Sequence, residues 1–242
     1  MPDRLLTVNG ADLWLSEQGS GAPLMLCNGG PGCCDYLEPV AALLDDLAHV
    51  YRFEQRGCGR SSATPPYTLQ SCLDDLDGLR QQLGHERWIV GGHSWGADLA
   101  LAYALTYPEH SRAVIHLAGT GAHDDRQWHA AYERGRDAGS ELLPEFAYPT
   151  NREVNREVVA SWRAFIKQPT LWRRLADLDV PLLAICGSED IRPSWPVQQV
   201  VGALPDARFE LIDGAQHCLW LTHPDELRSR LRGFLGGLQP DP

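Results

Sequence analysis

Short apolar runs alternate with longer amphipathic ones along most of this 242-residue chain, and several of the short runs end in glycine clusters. That alternation is the pattern of helices packed on a largely parallel sheet, whose strands are buried on both faces and read as continuous apolar stretches. The chain is therefore expected to be α/β, with a mostly parallel, doubly wound sheet. Leu5 to Val8 and Asp12 to Gln18 read as an opening hairpin turned at Asn9-Gly10. Further strands are expected over 23–27, 50–54, 88–91, 113–117, 182–186 and 208–212. Helices are expected over 36–46, 68–83, 95–107, 196–203 and 225–235. In the second of these, Leu69, Cys72, Leu73, Leu76, Leu79 and Leu83 fall on one stripe, which marks a core face.

From Thr120 to Thr170 the alternation stops. Charged residues mix there with Trp128, Tyr132, Phe146, Tyr148, Trp162 and Phe165, and no apolar strand occurs. The expected organisation is one core domain, 1–119 and 171–242, carrying an inserted helical lid, 120–170. No internal repeat is present, and the tail Gln239-Pro240-Asp241-Pro242 is expected to fray.

Composition removes several classes of function. A net charge of −11 argues against a nucleic-acid surface. No apolar stretch approaches the roughly 18 residues of a membrane span, and the start lacks an apolar signal region. Seven irregularly spaced cysteines, without paired Cys-x-x-Cys knuckles, fit neither a disulfide framework nor a zinc knuckle, so free thiols in the cytoplasm are expected. The only lysine, Lys167, precedes Gln168, which excludes a phosphate-binding Gly-Lys-Ser/Thr loop. His123 and His129 stand six apart without a His-Glu-x-x-His helix, so no metal site is expected.

Gly92-His93-Ser94-Trp95-Gly96 lies between the apolar run Trp88-Ile89-Val90-Gly91 and a helical run. A serine on so tight a strand-turn-helix junction is held in strained geometry with its hydroxyl exposed, and glycine on either side lets strand and helix pack. A helix N-cap serine is the plainer alternative. A serine hydroxyl is a weak nucleophile and needs a base, itself oriented by an acid. Asp190 follows the run Leu182 to Cys186 and His217 follows Arg208 to Ile212, leaving room for one helix and one strand between them. Asp190 is thus the candidate acid and His217 the candidate base. Glu189 and Asp213, or Asp124 and Asp125, are rival acids, and His223 is a rival base. The oxyanion of a tetrahedral intermediate also needs two N–H donors. The Asn28-Gly29-Gly30-Pro31-Gly32 loop can supply one, with Gly30 the first choice and Gly29 the second. The N–H of Trp95, at a helix N-terminus, is the other.

These stretches resemble the α/β-hydrolases, and within them the proline iminopeptidases. That family carries His-Gly-Gly-Pro-Gly, Asp-Gln-Arg-Gly-x-Gly-x-Ser and Gly-Gly-Ser-Trp-Gly or Gly-His-Ser-Trp-Gly. Here the matching stretches are 28–32, Glu54-Gln55-Arg56-Gly57-Cys58-Gly59-Arg60-Ser61 and 92–96, in the same order. The resemblance implies an α/β-hydrolase fold and a cofactor-independent serine hydrolase, acting on a small-molecule or short-peptide substrate through an acyl-enzyme. It leaves the oligomeric state open. Two departures matter. Asn28 stands where the family has histidine, and a small amide can hydrogen bond the loop in its place. The lid is short, so dipeptide specificity does not carry over with the motifs. Ammonium recognition, as the family implies it, would need acidic lid residues, for which Glu133, Glu141, Glu145, Glu153 and Glu157 are candidates beside a solvated-face reading. Trp128, Tyr132, Glu145 and Phe146 are the candidate substrate contacts, and the aromatic lid favours apolar acyl groups, so a small ester, lactone or thioester is the alternative substrate. A non-catalytic ligand-binding protein on the same scaffold is the alternative from another class. Cys27, Cys33, Cys34, Cys58 and Cys218 crowd the same region, and packing is their expected role because none holds the elbow position.

Overall fold

Asn9 and Gly10 both adopt positive φ, 48° and 76°, the backbone that a two-residue turn between antiparallel strands requires. They join β1 (Arg4–Val8) to β2 (Ala11–Gly19), with Val8 opposite Ala11, as expected. The computed structural model describes residues 3–122, 126–138 and 141–239. Asp124, Asp125, His123 and the tail residues Pro240, Asp241 and Pro242 lie outside them.

The remaining strands are β3 (Ala22–Cys27), β4 (Ala48–Phe53), β5 (Trp88–His93), β6 (Ser111–Leu117), β7 (Leu182–Gly187) and β8 (Ala207–Ile212). They form one sheet in the order β1-β2-β4-β3-β5-β6-β7-β8, antiparallel at β1-β2 and β2-β4 and parallel elsewhere. Within a strand, alternate residues serve opposite faces. Leu24 and Leu26 of β3 join one apolar cluster, with α1 (Glu38–Ala42), α8 (Leu219–Thr222) and α9 (Pro224–Gly237). Met25 and Cys27 join another, with α2 (Leu69–Gln82), α3 (Trp95–Thr106) and α7 (Trp195–Ala203). The sheet is doubly wound. The helix expected over 36–46 is shorter, because beyond Ala42 the chain tightens into i→i−3 turns at Leu43, Leu44 and Leu47.

Strand order reverses at β3, whose neighbours are β4 on one side and β5 on the other. Ligands bind at the carboxyl ends of strands beside such a reversal, because the two chains leave in opposite directions and open a crevice. Cys27 pairs with Gly92 in register, so the 28–32 loop and Ser94 emerge side by side.

Between β6 and β7 the described residues contain helices and no strand: α4 (Arg126–Ala138), α5 (Arg152–Ile166) and α6 (Leu171–Ala176). Val154, Val158, Trp162 and Phe165 of α5 repeat at three to four residues and are buried in the α2–α3 cluster. Ser161 Oγ accepts the Leu69 N–H at 2.9 Å. The second half of the expected lid is therefore bolted to the core.

Candidate active site

The elbow is set by sterics. A Cβ on Gly96 would stand 1.9 Å from the Cys27 carbonyl oxygen, and one on Gly92 would stand 2.2 Å from that of Gly96. Only glycine lets α3 approach β3 and β5 so closely. Ser94 itself takes φ 56° and ψ −127°, a conformation costing about 1–3 kcal/mol that the surrounding contacts must hold. Its N–H is donated to the Leu117 carbonyl at 2.9 Å, and its side chain opens on two cavities.

The smaller cavity, about 130 Å³, is shared by Ser94, Gly30, His93, His217, Leu143, Pro144 and Phe146, among others. Asp190 and His217, each reached from the end of its strand, meet with Oδ2 and Nδ1 2.6 Å apart, both nearly buried. Burial alone would raise the Asp190 carboxyl, but the charge and hydrogen bond of His217, followed by Arg192, outweigh it and hold the group below its ordinary value. An ionised Asp190 only accepts, so Nδ1 of His217 carries a proton and directs it at the carboxylate. Arg192 donates its backbone N–H to Asp190 Oδ1 at 2.9 Å and a guanidinium N–H to the same oxygen at 3.2 Å. The same guanidinium pairs with Glu141 and lies 5.4 Å from the Tyr132 ring centroid. Glu141, Asp190 and His217 bring ligand atoms within 4.8 Å of one another. Because Arg192 already bridges both carboxylates, that group is built as an ion-pair network.

The larger cavity, about 430 Å³, is walled by Ser94, Trp95, Gly30 and Pro31 at the elbow and by Trp128, Tyr132, Val159 and Trp162 from the inserted helices. Of the candidate substrate contacts, Trp128 and Tyr132 line this cavity and Phe146 lines the smaller one. Glu145 does not join them. The irregular stretch around 144–147 turns Phe146 edge-on to Tyr36, 5.4 Å between ring centroids, and sends Glu145 into a separate groove with Trp14, Arg52 and Arg60. None of the five lid glutamates lines either cavity that holds Ser94: Glu141 is paired with Arg192, and Glu133 and Glu153 are exposed.

Gly30 and Trp95 flank Ser94 in the larger cavity. Gly29 is otherwise engaged, since its N–H is donated to Tyr36 Oη at 2.8 Å. Asn28, fully buried, donates its amide to the carbonyls of Cys33 at 2.8 Å and of Gly29 and Cys34 at 3.2 Å, so the amide ties the loop as its size allows. Gln55 links the same loop to the elbow: Nε2 donates to Asn28 O at 3.3 Å, and Oε1 accepts from Trp95 Nε1 at 3.4 Å. His93 Nε2 donates to the His217 carbonyl at 3.0 Å, which obliges Nδ1 to accept from Tyr36 Oη at 2.8 Å. Burial first, and then the nearby His217, pushes His93 well below its ordinary pKa, in keeping with a neutral ring. Gln55, Tyr36 and Arg192 carry the site's support without having been singled out from sequence. Gln55 lies inside the second motif and Arg192 two residues past Asp190, but Asn28 and Trp95, which Gln55 joins, and Glu141, which Arg192 pairs with, are distant in the chain.

All seven cysteines are buried and free. Burial pushes the Cys218 and Cys186 thiols up to about 12, so these are packing groups and not thiolate nucleophiles.

A family model, alpha/beta hydrolase fold, matches residues 22–171, and the chain belongs to that family. It is an α/β-hydrolase enzyme. A proline iminopeptidase of Lactobacillus delbrueckii subsp. lactis is 28% identical, over 91% of this chain and 92% of that protein. Among solved structures, a Mycobacterium smegmatis proline iminopeptidase superposes with a TM-score of 0.76 at 22% identity, over 97% of this chain and 98% of the other. A thermophilic esterase from Thermogutta terrifontis gives 0.80 at 20% identity, covering 99% of this chain and all of its own (100%). No helix among the described residues is long and apolar enough to cross a membrane.

Proposed function

We propose that this hydrolase cleaves an acyl bond through Ser94, His217 and Asp190. The observation that carries the reading is the His217–Asp190 hydrogen bond at the wall of a cavity that also holds Ser94. Ser94 Oγ attacks the acyl carbon as Nε2 of His217 takes its proton, and Asp190 holds the tautomer and stabilises the imidazolium. The N–H groups of Gly30 and Trp95 receive the oxyanion, a contribution of about 3–4 kcal/mol for one well-placed donor. Collapse breaks the bond to the leaving group, which takes the proton from His217. A water then repeats the sequence on the acyl-enzyme, releasing the acid and restoring Ser94.

Residues 120–170 act in this reading as a lid on the 1–119 and 171–242 core, with aromatic residues of α4 and α5 receiving the substrate. The relatives named proline iminopeptidases support the chemistry, but the five lid glutamates do not line the cavities that hold Ser94, and Glu141, the one beside His217, is already neutralised by Arg192 and so not available to an N-terminal ammonium. An ester or a similar bond without a free α-amine is therefore the favoured substrate. The seven free thiols support a cytoplasmic enzyme.

A fluorophosphonate probe is expected to label the wild type at Ser94 and to leave folded Ser94→Ala unlabelled. Absence of label on folded wild type would overturn the assignment. Hydrolysis of p-nitrophenyl butyrate is expected to exceed that of proline p-nitroanilide, and the reverse order would restore the peptidase reading.

A further inference from the structure

Charge is distributed unevenly around the larger cavity. On α5, Asn155, Val159, Trp162 and Arg163 follow at four, seven and eight residues, so one helical face forms a wall. Asn155 is engaged, its amide donating to Pro31 O at 2.8 Å. Asp98, the one carboxylate among the lining residues, is buried and saturated. Its oxygens accept from Thr120 N and Oγ1, Gly121 N and His116 Nε2 at 2.6–3.2 Å. Arg192 is bound to Asp190 and Glu141. Arg163 is different: it is exposed at the rim, and no ion pair holds it among the described residues.

Resting on the acyl-hydrolase reading above, we propose that the substrate carries a carboxylate on its acyl part, held by Arg163 at the mouth of the cavity while the aromatic walls take the apolar stem. A guanidinium offers a forked pair of donors matched to a carboxylate, and at an exposed rim it makes that contact without the cost of burying an unpaired charge. The same field disfavours an ammonium. An aliphatic chain lies against Trp128 and Trp162, and its terminal carboxylate reaches the rim.

Three p-nitrophenyl esters of similar length test this: the hexanoate, the adipate monoester and the 6-aminohexanoate. The wild type is expected to prefer the adipate over the aminohexanoate in kcat/KM. Arg163→Met is expected to lower the adipate-to-hexanoate ratio about tenfold, the effect of one partly screened charge-assisted hydrogen bond. Arg163→Glu should shift preference toward the aminohexanoate, and rising salt should erode the wild-type preference. Turnover that needs Ser94 but favours the aminohexanoate, or an adipate ratio untouched in both Arg163 variants, overturns the carboxylate inference and leaves the hydrolase intact. Folded wild type that turns over none of the three and takes no fluorophosphonate removes the acyl-hydrolase reading itself, and this inference with it.

Discussion

Removing one hydroxyl oxygen tests whether the active-site loops are held by a continuous hydrogen-bond chain. Gly29 N–H donates to Tyr36 Oη, Tyr36 Oη–H to His93 Nδ1, and His93 Nε2–H to the His217 carbonyl, with separations of 2.8, 2.8 and 3.0 Å. Each hydrogen has one direction to go, because the carbonyl can only accept and the backbone amide can only donate. Tyr36→Phe keeps the ring that stacks at 6.1 Å on Trp220 and removes both bonds of the hydroxyl. A buried amide and the buried His93 Nδ1 then lose their partners, at about 1–3 kcal/mol each. Because Tyr36 is only half-buried, water can reach part of the vacancy, and a total of about 2–4 kcal/mol follows. For a domain of this length that lowers Tm by about 4–16 °C. The activity consequence is separate. With Nδ1 unpaired, the His217 carbonyl still fixes the tautomer, but the His93 ring loses one of its two anchors and holds that carbonyl less rigidly. Calorimetry and ester hydrolysis on the same preparations check both parts. A melt within about 1 °C of wild type, with unchanged kcat, would refute the chain as a structural element.

Two further perturbations have definite signs. Arg56 and Asp75 form a buried two-bond pair at 2.7 and 2.6 Å, so Asp75→Ala strands a guanidinium and is expected to cost about 3–5 kcal/mol in urea unfolding. Asp190, held below its ordinary value, contributes stability that is complete above about pH 4, the unfolded value, and is lost as pH falls through the lower folded value. The stability gap between wild type and Asp190→Asn should therefore close as pH falls below about 4, whereas a constant gap would contradict the depressed carboxyl. At neutral pH the same substitution should lower kcat on the order of 10³–10⁴-fold, by releasing the His217 tautomer.

The elbow was legible because its constraint is local: two glycines, a preceding apolar run and a following helical one lie within about a dozen residues. Asp190 and His217 were legible for a topological reason, since parallel strands deliver all their carboxyl ends to one edge and the residues just past those ends converge. The loop glycines were harder. Gly29 and Gly30 are alike in sequence, and only the tyrosine seven residues on, through its Oη, decides which N–H is engaged. The lid acids were legible only in part: the solvated-face reading holds for Glu133 and Glu153, which are exposed, but not for the placement of Glu141 and Glu145. Residues 141–150 have no helical or strand period, so nothing in the letters says that Phe146 faces Tyr36 while Glu145 faces Arg52 and Arg60. Glu141 reads as a solvated acid until Arg192 is brought beside it.

In the proposed reading, Arg192 gives a reason for specificity to fall to α5 and not to the acid-bearing loop. Its guanidinium helps hold Asp190 ionised and also fastens Glu141, while Gln216 Oε1, beside His217, accepts the Leu142 N–H at 2.9 Å. The stretch that covers the smaller cavity is thereby fixed to the loops carrying both Asp190 and His217. A substrate that drew Arg192 toward itself would loosen the carboxylate that orients the base, so selectivity gained there would be lost in turnover. Arg163 carries no such obligation, because α5 is held to the core by Val154, Val158 and Phe165 and by the Ser161 contact to α2. If His217 is the base and Arg163 the ligand's partner, as proposed, this separation of charges would let α5 change its cavity face without disturbing proton transfer.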